Sequence, residues 1–277
     1  MKLLFAIVLT TALTLQSATY YVNSTAGSDA NAGTSEQAAW KTLNRINAAR
    51  FHPGDRILFK SGSVFDGQLA PKSSGAEGAP IVIDRYGKGP RPRIDGGGQV
   101  EDVVRLYNVQ FIEVKNLEVT NHGADPAVRR GVHIFLDNFG TGHHIVLAGL
   151  YIHDVNGSNK RKDNGGIIFR TNGDKIPSRF DGLTIERNIV WKVDRSAIAA
   201  QSYHWNRLHW NPSLHVVIRD NLVDDIGGDG IVPWATDGAL IENNIARNCN
   251  RRAATYNAGI WPWSTDNSLF QLNEASL

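Results

Sequence analysis

Ile218–Trp234, IRDNLVDDIGGDGIVPW, carries the pattern that decides the fold. An apolar residue, two variable positions and an Asn lead into a second apolar run and a loop, and Gly-Ile then opens a third short strand. The same order returns along the chain. Ile185, Asn188 and Ile189 precede Ala197-Ile198 and Gln201, and Ile241, Asn244 and Ile245 precede Gly259-Ile260 and Trp263. Upstream, Asn116-Leu117 precedes Gly131-Val132, and Gly149-Leu150 takes the Asn slot before Gly166-Ile167 and Arg170. Asn273 starts a further copy. The slot positions 116, 149, 188, 221, 244 and 273 are unevenly spaced, which fits a core repeat in the low twenties carrying insertions of free length.

The repeated segments are short and β-branched, Gly and Asn punctuate them, and no 3.6-residue period is sustained, so helical repeats are poor alternatives. Leucine-rich and propeller signatures are absent. The pattern predicts a parallel β-helix, in which each coil buries its inward residues by stacking on its neighbours. Asn side chains stacked at one slot can hydrogen-bond each other, since an amide carries both donor and acceptor. Asn188, Asn221, Asn244 and Asn273 are therefore read as structural, with the Asn making the tight turn.

The first eighteen residues read as a signal peptide. Lys2 gives a short positive start, Leu3 to Leu15 is apolar, and Ser17-Ala18 offers small residues for cleavage. A secreted or periplasmic location follows as an expectation, with residues 19–277 forming one solenoid. The 277 residues carry a net charge of +2, which leaves no nucleic-acid or anionic-membrane footprint. The single cysteine, Cys249, rules out an internal disulfide and is read as a packed thiol.

Within the cap region, residues 19–55, the loop Ser24–Thr34 contains Asp29 and Asn31. These could bind calcium but lack the spacing of an EF-hand, and Asx-turns are the simpler reading. Glu36 to Ala49 carries Trp40, Leu43 and Ile46 three residues apart, which predicts a short amphipathic helix covering the open end of the solenoid. YYVNSTAGSDANAGT, then AWKTLNRINAA, HPGDRILFKSG, GAPIVIDRYG and RPRIDGGG, resembles the N-terminal region of secreted right-handed parallel β-helix proteins of the pectate-lyase-like kind. That resemblance covers residues 19–277. It implies an all-β, right-handed parallel β-helix that acts on carbohydrate, and leaves the reaction open. The Asn-Thr-Asp, Asp-Asp and Gly-His-Gly set of polygalacturonase-type hydrolases is absent. So is the Trp-Ile-Asp-His and Arg-x-Pro-x-x-Arg signature of classical pectate lyases.

The third strand of each repeat points to a binding surface. If Val132, Ile167, Ile198, Ile231 and Ile260 face inward, alternation turns two rows outward. These are His133, Ile168, Ala199, Val232 and Trp261, and beside them Phe135, Arg170, Gln201, Trp234 and Trp263. Rungs about 4.8 Å apart match the scale of a sugar ring, and an indole offers a flat apolar face with an N–H beside it. The alternative is a second core beneath insertion loops. Two insertions flank this strand, His153–Asp163 and Ser202–Pro212, and the second adds Trp205, His204 and His209. The candidate substrate-binding set is His133, Arg170, Gln201, Trp205, Trp234, Trp261 and Trp263. The two loop histidines lack further ligands within the loop for a metal site.

Glycoside hydrolysis needs two carboxylates. Asp237 and Asp266 each precede a Leu by three residues and so hold equivalent places on adjacent coils, and Asp229 lies at the mouth of the Trp234 strand. These three are the candidate catalytic residues of a hydrolase, which requires no cofactor. A polysaccharide lyase would need a base and a cation. Arg170, Arg251 and Arg252 are the cations on offer, no lysine sits at an evident position in the aromatic rungs, and calcium is compatible with that reading. A non-catalytic carbohydrate-binding or adhesion β-helix is the third alternative. Nothing after Asn273 supplies a closing strand or cap, so the sequence also predicts a C-terminally truncated chain that self-associates through its open end.

Overall fold

Alternating burial marks the strands. In Ile81–Tyr86 and Ile112–Lys115 the side chains of Ile81, Ile83, Ile112 and Val114 are buried while their neighbours are not, the period of two that a strand imposes. The computed structural model describes residues 17–253 and 256–276. Among them the strands build three parallel sheets, of twelve, eight and five strands. The chain visits these in turn. Thr141–Ala148 lies in the twelve-stranded sheet, Tyr151–Val155 in the eight-stranded, Gly165–Asn172 in the five-stranded, and Arg179–Glu186 returns to the first. This is the expected parallel β-helix.

One corner of each coil is pinned. Asn188 donates from its backbone N and its Nδ2 to Asn221 Oδ1, both at 3.0 Å. Asn221 bonds Asn244 in the same way, and Asn244 bonds Asn273. Each amide also reaches a backbone carbonyl, of Leu147, Ile185 and Ile218 in turn. A buried amide left without these partners would cost about 1–3 kcal/mol. The slot assignment needs a correction at its first two coils. Leu150 N donates to Asn188 Oδ1, and Tyr151 pairs with Glu118, so Leu150 and Leu117 occupy the slot, not Gly149 and Asn116. Those two hold the position just before it, and at every coil that preceding position, not the Asn of the slot as expected, makes the turn. There Asn116, Gly149, Arg187, Asp220, Asn243 and Leu272 all take the left-handed backbone, φ 52–66°, which glycine and asparagine tolerate best.

The cap is smaller than predicted. The helix runs only over Leu43–Ala48, because Trp40 is claimed by the first strand: its N donates to Tyr21 O and its O accepts from Asn23 N. Its ring stacks on Tyr20 at 4.8 Å. Leu43 and Ile46 are buried against the solenoid core, so the helix does cover that end. Asp29 accepts from Lys41 N, Thr42 N and Thr42 Oγ1, and Asn31 Nδ2 donates to Ala39 O. Both side chains therefore brace the entry to the helix. Residues 1–16 of the expected signal peptide lie outside the described residues. Ala18 is described, and its N donates to Asp55 Oδ1 at 2.7 Å.

Candidate active site

The predicted inward row is present. Val132, Ile167, Ile198 and Ile231 are fully buried register partners on successive coils, Ile260 joins through an isolated bridge, and Val104, also fully buried, extends the row one coil earlier. One residue further on, Ile168, Ala199 and Val232 form a small separate cluster with Trp261 and Trp263 packed over it. Three rungs are thus sealed from outside, and the indoles that seal them stay half-buried.

The outer row turns a corner that alternation did not show. Phe135, Arg170 and Gln201 pair side by side in the five-stranded sheet. Trp234 does not extend their row. Pro233, which has no N–H for the ladder, separates the short strand Ile231–Val232 from Trp234–Asp237, and the latter belongs to the twelve-stranded sheet. Pro262 stands at the equivalent place before Trp263–Asp266. Trp234 and Trp263 are partners across that pair of strands.

The result is a run of four indoles. Trp205 lies 6.0 Å from Trp234, Trp234 stacks on Trp263 at 4.7 Å and 19°, and Trp261 follows at 5.3 Å. Trp234 also packs on the solenoid core, where its Nε1 is buried without a hydrogen-bond partner. The run ends on Asp229, which is 1% exposed. One oxygen of Asp229 accepts from Trp261 Nε1 at 2.9 Å and Ala258 N at 3.2 Å. The other faces Lys162 Nζ at 3.1 Å and Arg195 Nη1 at 3.6 Å. Lys162 stands 5.0 Å from the Trp261 ring centre and 5.5 Å from that of Trp263. This corrects the expectation that no lysine reaches the aromatic rungs. Lys162 comes from the insertion before Gly166, and its contact with Asp229 spans 67 residues.

Asp237 and Asp266 are register partners on adjacent coils, as their spacing predicts. Asp237 accepts from Asn267 Nδ2 at 2.8 Å. Asp266 accepts both terminal nitrogens of Arg207, from the loop carrying Trp205. That forked bond holds its carboxyl below the usual carboxylate range. The site thus contains one carboxylate buried among cations and indoles, and two on the strands that carry Trp234 and Trp263.

Arg170, Gln201 and Trp205 meet in a cleft of about 410 Å³, with Asn172, Asn206 and His209 among its walls. His133 is on its predicted row yet buried, and it does not line the cleft. Its Nδ1 faces Asp102 Oδ2 at 3.0 Å, and its ring stacks on Phe135. Asp102 also binds Arg130 Nη1 at 2.6 Å. Burial acts to raise the Asp102 carboxyl, but His133 and Arg130 outweigh it and hold it below its ordinary value. Arg251 and Arg252 are elsewhere: Arg252 pairs with Asp194 and Asp225, and Arg251 bonds Asn248. His204 Nε2 donates to Gly173 O, which takes it out of the running as a ligand on that nitrogen. Among the described residues no group of three or more His, Cys, Asp or Glu is arranged to hold a metal ion. Cys249 is the packed thiol expected. Burial, then the charges of Asp229 and Asp224, push it up to about 12, so it is no nucleophile at neutral pH.

Fold and site together define a parallel β-helix that carries a run of four indoles with carboxylates beside it. No family model matches the chain. It is similar to the lacto-N-biosidase of Bifidobacterium longum subsp. longum, 31% identical over 329 aligned positions that cover 89% of this chain and 21% of that protein. It is also similar to the solved GH136 lacto-N-biosidase of Eubacterium ramulus. The native structure of that enzyme is 29% identical with a TM-score of 0.85, and the match covers 92% of this chain and 55% of that one. The selenomethionine form gives a TM-score of 0.84 at the same identity. This chain therefore spans little more than half of the solved relative and about a fifth of the curated one. Pectate lyase Pel9A, 17% identical with a TM-score of 0.54 over 83% of this chain and 63% of that one, shares the fold.

Proposed function

We propose that the chain belongs to a glycoside hydrolase that releases a sugar unit from lacto-N-biosides or glycans built like them. The observation that carries this reading is the run Trp205–Trp234–Trp263–Trp261 ending on Asp229. Trp234 and Trp263 cover each other, so the indole surface left for a sugar ring is that of Trp205, 42% exposed, together with the outward, half-buried side of the run, and the carboxylates stand on the same strands or against the last indole. The likeness to two lacto-N-biosidases supports the same reading.

Hydrolysis needs one carboxyl to protonate the leaving oxygen and a second, ionised one to act as nucleophile or to activate water. Asp266, held ionised by Arg207, suits the ionised role. Asp237, the register partner of Asp266 on the adjacent coil, accepts from the Asn267 amide and is the second carboxyl of the pair, the one left to act as proton donor. Asp229 anchors the Trp261 indole and Lys162, and so sets the shape of the groove floor. A lyase is the second reading, favoured by one observation: Lys162 supplies the cation beside a carboxylate that such chemistry requires.

The test is incubation with lacto-N-biosides and with uronate polymers. New reducing ends without ultraviolet absorbance support the hydrolase. Absorbing, unsaturated ends establish the lyase, and saturable binding without new ends establishes a binding protein. Secretion, with cleavage near Ser17-Ala18, belongs to the same proposal and is read from the N-terminus of the mature protein. Self-association is tested by light scattering across concentration.

A further inference from the structure

The cleft beside the indole run has more polar groups than partners for them. Arg170 is half-buried on its strand, and its guanidinium lies 5.0 Å over the Phe135 ring of the rung below. Among the described residues it meets no carboxylate, and the cleft lining contains none. The side-chain amides of Gln201 and Asn172, in the same lining, are likewise without hydrogen-bond partners among the described residues. Asp266, on the strand of Trp263, is already matched by Arg207. A partly desolvated guanidinium without a counter-charge is costly, and an anion from outside would offset that cost.

We propose that this cleft is a subsite for an acidic sugar unit, one bearing a carboxylate or a sulfate, with Arg170 as its anchor. The inference rests on the glycan reading above and names the kind of glycan. Arg presents a planar fork that binds such oxyanions through two parallel hydrogen bonds. Phe135 holds the guanidinium from below, so the fork is in place before the ligand arrives. Gln201 and Asn172 then serve neighbouring hydroxyls, and the Trp205 indole, 42% exposed, offers a face to the ring. An acidic unit meets no carboxylate there to repel it, whereas a neutral one leaves the guanidinium unmatched.

The experiment uses three oligosaccharides with one common core: neutral, extended by a uronate, and sulfated at the same position. Binding to the intact chain is measured by titration calorimetry at low and at physiological salt. The wild type is expected to bind at least one charged form about tenfold more tightly than the neutral one, with the preference shrinking as salt rises. The charged form preferred identifies the oxyanion. R170M should erase the preference and R170K should keep part of it, since the charge remains and the fork is lost. Free sulfate should compete against the charged glycan more than against the neutral one in the wild type, an arm that needs no variant. Equal binding of all three forms by the wild type, or a preference that survives R170M, overturns the subsite. Failure to bind any of the three overturns the glycan reading itself and this inference with it.

Discussion

Two clefts of this solenoid are lined by aromatic rings and polar side chains, yet their chemistry runs in opposite directions. One, of about 670 Å³, opens on the twelve-stranded sheet around Phe111, with His143 and His144 lying nearly parallel to its ring. The other is the Arg170 cleft with the indole run beside it. In the first, each strand-borne carboxylate already has its counterpart. Glu113 is held by Lys115 Nζ at 2.5 Å and His144 Nε2 at 2.8 Å. Asp181 is held by His215 Nδ1 at 2.6 Å and His143 Nδ1 at 3.7 Å. In the second, cation and amides face the opening unmatched. Concavity and rings are therefore weak evidence for a ligand. The deciding quantity is the set of polar groups the protein leaves for something else to satisfy.

The largest effect that would break this comparison is on turnover. D237N keeps the shape of the side chain and removes its proton chemistry, so hydrolysis is expected to fall on the order of a thousandfold with little change in melting temperature. Full turnover by D237N would remove Asp237 from the chemistry. D229N is expected to lose turnover and also stability, by about 3 kcal/mol, because Lys162 and Arg195 lose a buried counter-charge. Denaturant unfolding of the two variants side by side separates a chemical role from a scaffolding one.

A smaller effect separates the two clefts directly. W263A removes the indole between Trp234 and Trp261 and is expected to weaken glycan binding on the order of tenfold. F111A removes the equivalent flat ring of the other cleft and should shift binding less than twofold. If F111A weakens binding as much as W263A, the Phe111 cleft is a ligand site after all and the distinction collapses.

The smallest effect is on acid stability. Burial acts to raise the Glu113 carboxyl, but Lys115 and His144 outweigh it and hold it below its ordinary 4.5. A carboxyl lowered on folding contributes stability that is complete above its unfolded value and is lost as pH falls through its folded one. Acidification below about 4.5 should therefore lower the melting temperature of the wild type more steeply than that of E113Q. Parallel slopes in calorimetry would show that the Glu113 cluster is not coupled to folding.

The fold was legible because a solenoid writes itself several times over. Ile218–Trp234 and its copies repeat the same apolar spacing, and the inward row from Val132 to Ile260 follows from alternation alone. The one-residue slip at Gly149 has a local cause. The turn position and the ladder position are adjacent, and both favour Asn or Gly, so residue type does not separate them without the hydrogen bonds. At the site, alternation found Arg170, Gln201 and the tryptophans, but not the corner at Pro233 that carries Trp234 onto another sheet. Lys162 was out of reach for a different reason. A loop side chain that crosses coils has no period, and the only signal was the length of its insertion.

The asparagine corner has a consequence for how such a molecule changes over time. The links from Ala148 to Tyr151, Glu186 to Ile189, Arg219 to Leu222 and Glu242 to Ile245 leave two residues between strands in each coil. The other two corners, on either side of the five-stranded sheet, carry the loops 156–164 and 203–212. One edge of the stack thus acts as a spine that keeps every coil in step, while the opposite edges can lengthen, shorten or exchange their loops without disturbing the coils above and below. Lys162, Trp205 and Arg207 all come from those exchangeable segments. The surface beside the indoles can therefore be rewritten by trading loops, with the spine absorbing none of the change.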